Sequence, residues 1–135
     1  MAGLRFRTLP HTADVRLQAW GADAAELILN VVLGVQAVAL GRPPRGAPTA
    51  WVDVEGWPEG TERRAVRAAN EALFQLFVHR RAAVDVAFGR SGARLGLAPL
   101  SPRRQLRSEI KAVTLHALRP PKGGRRLALL LTLDL

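Results

Sequence analysis

Polar and apolar residues change rhythm several times along the chain, and each rhythm predicts an element. From Asp14 to Trp20 they alternate, with Val15, Leu17 and Ala19 on one side and Arg16, Gln18 and Trp20 on the other. That is the period of a strand half buried against a core. Arg5 to Thr8, closed by Pro10, is a shorter strand ahead of it. Gly21 turns the chain, and Asp23, three residues before Glu26, has the spacing of a helix N-cap with its reciprocal partner. The helix that follows, Ala24 to about Leu40, is apolar on most sides and belongs in the interior; Gly41 and the Pro43-Pro44 pair stop it.

A third strand is expected over Ala50 to Glu55. Thr61 is placed to cap a second helix, Glu62 to His79, in which Val66, Ala69, Leu73 and Leu76 recur at helical spacing while Arg63, Arg64 and Arg67 point elsewhere. Ala82 to Phe88 alternates again, and Arg94 to Leu97 pairs with it across a turn at Ser91-Gly92. Ser108 to Leu118 is the longest strand signal, and Leu127 to Leu133 returns beside it after the turn Pro120 to Gly124. The sum is an α+β fold: one layered domain over residues 1–135, with two main helices packed on a mixed sheet of five to seven strands.

Composition narrows the chemistry. With no cysteine, disulfides, thiolate zinc sites and thiol nucleophiles are excluded. The opening MAGLRFRTLPHTAD turns polar too soon for a secretory leader. The most apolar stretch, Leu27 to Leu40, is about fourteen residues and contains Asn30 and Gln36, against the roughly twenty that a membrane span needs. These features point to a cytoplasmic protein with no membrane partner. A P-loop, a Gly-x-Ser-x-Gly elbow and a Glu/His metalloprotease spacing are all absent, so a hydrolase has no residue support.

The net charge is +9 and uneven. Over residues 101–135, Arg103, Arg104, Arg107, Lys111, Arg119, Lys122, Arg125 and Arg126 stand against only Glu109 and Asp134. Such a balance suits a polyanionic neighbour, and Arg103, Arg104 and Arg107 are its candidate contacts for RNA or a protein partner. Stacking aromatics are scarce, with three Trp, four Phe and no Tyr, which weakens a single-strand-binding reading.

Three segments carry candidate chemistry: His11 to Asp14 before a strand, Glu109 to His116, and Leu133-Asp134-Leu135 at the end. Asp14 and Asp134 offer carboxylate oxygens, which select hard cations such as calcium or magnesium over zinc or copper. Periodicity alone does not set Asp14 beside Asp134. Lys111 is one of two lysines in a chain that otherwise uses arginine, a compact movable charge suited to phosphate or carboxylate. Taken singly, each segment also reads as ordinary structure: a turn, an exposed strand lysine, a solvated chain end.

In order and spacing these segments resemble the archease family: His11-Thr12-Ala13-Asp14, then Asn70-Glu71 in the middle helix, Glu109-Ile110-Lys111-Ala112-Val113-Thr114-Leu115-His116, and Asp134 near the end. The resemblance implies an α+β domain that has no turnover of its own and assists a GTP-dependent RNA ligase in tRNA splicing and RNA repair. It does so by promoting guanylylation of the ligase's histidine and sustaining multiple turnover. It further implies a divalent cation, calcium or magnesium, held by Asp14, Asp134 and an oxygen of Leu135, with Lys111 as the ligase-activating residue and His11 and Glu71 in support. Some archeases are linked instead to tRNA methyltransferases as chaperone-like modulators. The match has gaps. Where archeases often carry Gly-Glu, an Asp and a His ahead of the lysine motif, this chain reads Gly96 to Gln105 without them, and the usual His-Asp-Leu is His116-Ala117-Leu118.

Overall fold

In the computed structural model, residues 5–9, 14–118 and 127–135 are described, those at 116–118 by their backbone alone. Seven strands and two helices follow in the order β1 (Phe6–Leu9), β2 (Val15–Gly21), α1 (Ala24–Leu40), β3 (Ala50–Asp53), α2 (Thr61–His79), β4 (Arg81–Phe88), β5 (Ala93–Pro99), β6 (Ala112–Leu118) and β7 (Leu127–Asp134). The expected mixed single sheet is corrected in two ways. The strands form two sheets, β1-β2-β7-β6 and β3-β5-β4, and every pairing in them is antiparallel. Period-two patterning identifies strands but carries no record of which strand pairs with which, so the split was invisible to it.

The helices join the two sheets. α1 packs on β1, β2 and β7 of one sheet and on β4 of the other; α2 packs on α1, β4 and β6. This explains why α1 is apolar nearly all round: Leu27, Val31, Val32, Val35 and Ala39 are all fully buried. Its polar interruptions are satisfied. Asn30 Nδ2 donates to the Trp20 carbonyl at 2.8 Å. Gln36 is completely buried; its Nε2 donates to the Ala83 carbonyl at 2.8 Å, and its Oε1 accepts from the Ala83 N–H at 2.8 Å. That two-point contact meets β4 beside its bulge between Ala83 and Asp85.

The ends of α1 follow the sequence reading. Asp23 accepts from the Glu26 N–H at 2.8 Å, while the Glu26 carboxylate pairs with Arg5 at 2.7 Å in place of the reciprocal cap. Gly41 stops the helix in the left-handed region, φ 84°, with its N–H on the Ala37 carbonyl. In α2 the cap position belongs to Gly60, at φ 90°, and Thr61 is the first helical residue, with no side-chain capping bond. β6 starts at Ala112 and not at Ser108, because residues 101–111 are used to cover the end of α1.

Candidate functional site

Hydrogen-bond register decides where the motif residues meet. β7 lies between β2 and β6. Val15 pairs with Leu133 on one side of β7, and Ala112 pairs with Asp134 on the other. Asp14 is therefore one position beyond the last β2–β7 pair, at the level of Asp134. The Lys111 N–H donates to the Asp134 carbonyl at 2.7 Å. Asp14, Asp134, Leu135 and Lys111, drawn from opposite ends of the sequence, thus gather at one end of one sheet.

Alternation sets the environment of this end. Leu133 is fully buried on the core face, so its neighbour Asp134 faces the other way and is exposed. Leu135, beyond the end of β7, and Lys111 are exposed too, while Asp14 is half-buried. Among the described residues no three His, Asp or Glu side chains converge. The residues that could hold a cation here are two side-chain carboxylates, Asp14 and Asp134, and any remaining oxygens would have to come from the main chain near Leu135 and from water. That all-oxygen set fits a hard cation. Its low side-chain count suits magnesium, which keeps several waters, better than the six to eight ligands of calcium.

The other predicted residues fall out as follows. Glu71 does not offer a free carboxylate: Arg67 Nη2 donates to its Oε1 at 2.9 Å and Gln75 Nε2 to its Oε2 at 3.1 Å. Gln75 Oε1 in turn accepts from Arg81 at 2.8 Å, which ties the group to the start of β4. His11 lies outside the described residues. Arg104 is committed in part to the fold: its Nη2 donates to the Leu40 carbonyl at 2.8 Å, at the end of α1. The Arg107 N–H donates to the Ala39 carbonyl at 2.7 Å, and the Arg107 side chain lies over Gly41, where an added Cβ would come within 2.7 Å of it. Arg103 is exposed.

Asn70 is the residue whose role sequence reasoning missed, although it stands in the motif. Its Nδ2 donates to the Val113 carbonyl at 3.1 Å, and its Oδ1 accepts from the Val113 N–H at 3.0 Å. β6 is an edge strand, and this amide satisfies the outward backbone groups of the residue two positions after Lys111. The signal for it was only a polar residue among the alanines of a helix, which names no partner.

A cleft of about 440 Å³ lined by Asp53, Glu55, Trp57, Phe88 and Arg94 holds none of the motif residues. With the geometry at the sheet end in place, comparison with known proteins is informative. Residues 6–135 match the model of the Archease protein family (MTH1598/TM1083). The chain belongs to the archease family. Two solved structures share the fold of this archease. The solution structure of Methanobacterium thermoautotrophicum protein 1598 is 20% identical, with a TM-score of 0.60 over 96% of this chain and 98% of that one. The crystal structure of an archease from Thermotoga maritima, described as a possible chaperone, is 18% identical, with a TM-score of 0.63 over 100% of both chains. A search of curated proteins returns no match. Among the described residues, no helix of the archease is long and apolar enough to cross a membrane.

Proposed function

We propose that this archease is an accessory protein of a GTP-dependent RNA ligase, promoting guanylylation of the ligase histidine, and that the end of the β2–β7–β6 sheet is the part that acts. The observation that carries the reading is the meeting of Asp14, Asp134 and Lys111 at one sheet end in a chain of this family, Asp14 level with Asp134 and Lys111 bonded to it through the main chain.

The chemistry asks for such a helper. Guanylylation forms a bond from a histidine nitrogen to the α-phosphate of GTP while pyrophosphate leaves, and negative charge builds on phosphoryl oxygens. Positioned cations and donors aimed at those oxygens lower the barrier most. Asp14 and Asp134 with an oxygen of Leu135 would hold the divalent cation, which when bound neutralises phosphate charge. Lys111, fixed by its main-chain bond to Asp134 and exposed at its side chain, reaches outward into a partner's pocket and donates to an oxygen there. The archease makes no covalent change of its own in this scheme. A cytoplasmic location belongs to the same proposal.

The description of the Thermotoga relative as a possible chaperone favours one other reading, a chaperone-like modulator of a tRNA-modifying enzyme such as a methyltransferase. One assay separates the two. Labelled GTP is transferred to the cognate ligase with and without the archease, in magnesium or manganese. Faster label transfer and sustained turnover are expected. No change at equimolar archease would overturn the ligase reading and leave the modulator.

A further inference from the structure

Residues 101–107 cross the end of α1, and arginines collect there beyond what the helix requires. Two adjoining cavities, of about 400 and 370 Å³, share Leu40, Arg42 and Arg104 in their walls. Arg45 completes the first; Arg103 and Arg107 complete the second. No acidic residue lines either cavity. Arg80 holds the crossing segment in place through bonds from its Nη2 to the carbonyls of Arg104 at 2.6 Å and Ser101 at 3.3 Å.

A helix C-terminus attracts cations, but it carries only about half a negative charge. Arg104 on the Leu40 carbonyl, with the Arg107 and Ser108 N–H groups on the Ala39 carbonyl, already meets that need. Arg42, Arg45 and Arg103 are exposed and have no such task. Arg42 lines both cavities, Arg45 the first and Arg103 the second; like charges gathered along two adjoining hollows repel one another, so their grouping favours anions between them. Guanidinium forks match phosphate oxygens in pairs. The walls contain no aromatic ring on which a base could stack, so what the cleft can grip is the backbone of a strand and not its bases. The absence of an aromatic anchor also disfavours a lipid surface.

We propose that this double cleft binds consecutive phosphates of a single nucleic-acid strand through Arg42, Arg45 and Arg103, with Arg104 and Arg107 forming its floor. Its position adds meaning. Ser108 bonds Ala39 at the end of α1 and Lys111 bonds Asp134; the three intervening steps span at most about 10 Å. A strand in the cleft runs up to the Asp14, Asp134 and Lys111 end of the sheet, where its terminus would meet the ligase. Glu109, exposed on the same segment, carries a charge that repels phosphate, so the phosphate contacts end at the cleft. That the strand is RNA rests on the ligase reading; the cleft's taste for phosphate does not.

The test is anisotropy of a short labelled single-stranded RNA, titrated with the full archease over a range of salt, using wild type, Arg42→Ser/Arg45→Ser/Arg103→Ser, and the matching triple lysine variant. Wild type should bind with affinity falling steeply as salt rises. The serine variant should lose about tenfold or more and flatten the salt slope by about 2, at roughly 0.7 per phosphate contact; the lysine variant should keep much of both. The serine variant should still accelerate ligase guanylylation without RNA, so a failed cleft and a failed ligase reading give different results. Equal RNA binding by wild type and serine variant, or competition by polyglutamate as effective as by unlabelled RNA at equal charge, would overturn the proposal.

Discussion

Two side-chain amides do the same job in different places. Gln36 on α1 and Asn70 on α2 each donate to and accept from one backbone residue of an edge strand, Ala83 of β4 and Val113 of β6. Each turns a strand edge that would otherwise need water into an internal surface. Removing such an amide strands both a backbone donor and an acceptor. Asn70→Leu is therefore expected to destabilise the fold by about 1–3 kcal/mol, read as a lowered midpoint in urea denaturation, and an unchanged midpoint would show that Val113 finds water at no cost. Neither role was legible in the sequence. Asn30 and Gln36 stood out only as interruptions of an apolar run, and Asn70 only as a member of a motif. A period reveals which face a residue occupies, not which backbone group across the fold awaits it. What the sequence did disclose at this scale is the chemistry: the residue types at Asp14, Lys111 and Asp134 were readable, and their convergence was not.

The elements themselves were easier to read where local forces decide them. α1 begins and ends at its expected residues because its N-cap, its apolar run and its left-handed glycine all lie within the segment. β6 was drawn four residues too long because those residues, 108–111, answer to the end of α1 and to Asp134 through main-chain bonds. Ile110 and Val113, three apart, are both buried, which no continuous strand could arrange on one face. The β2–α1 junction is a further case. Gly21 is the last residue of β2, paired with Leu127, and an added Cβ would lie 2.4 Å from the Leu27 nitrogen. It is a point of close backbone approach as much as a turn. Because the obstacle is backbone and cannot swing aside, Gly21→Ala should cost about 1–3 kcal/mol; a thermal melt at the wild-type temperature would show that the junction yields.

On the scale of the whole molecule, the antiparallel sheet β1-β2-β7-β6 is what brings the beginning and end of the chain together. β7, an inner strand of its sheet and buried along most of its length, carries Asp134 level with Asp14 on one side and into a main-chain bond with Lys111 on the other. The crossing segment 101–111 then sets the arginine cleft beside that end. Asp14, Asp134, Lys111 and the arginine-lined cleft thus lie toward one pole of the domain. The family resemblance singled out Asp14, Asp134 and Lys111 from motifs alone. The hollow needed the fold, since Arg42 and Arg45 flank a Pro-Pro pair that reads only as a helix stop, and they meet Arg103 and Arg104 from sixty residues away along the chain.

The most direct measurement is single-turnover transfer of labelled GTP to the cognate ligase histidine, comparing wild type with Lys111→Ala and Asp14→Asn, each first shown to keep the wild-type melting temperature. The account predicts that wild type accelerates the step and that each variant loses at least about tenfold of that acceleration, the scale of one lost charge-assisted contact in a transition state. Variants that fold normally and activate as fully as wild type would contradict it, and would place the working surface of this archease somewhere other than the end of the β2–β7–β6 sheet.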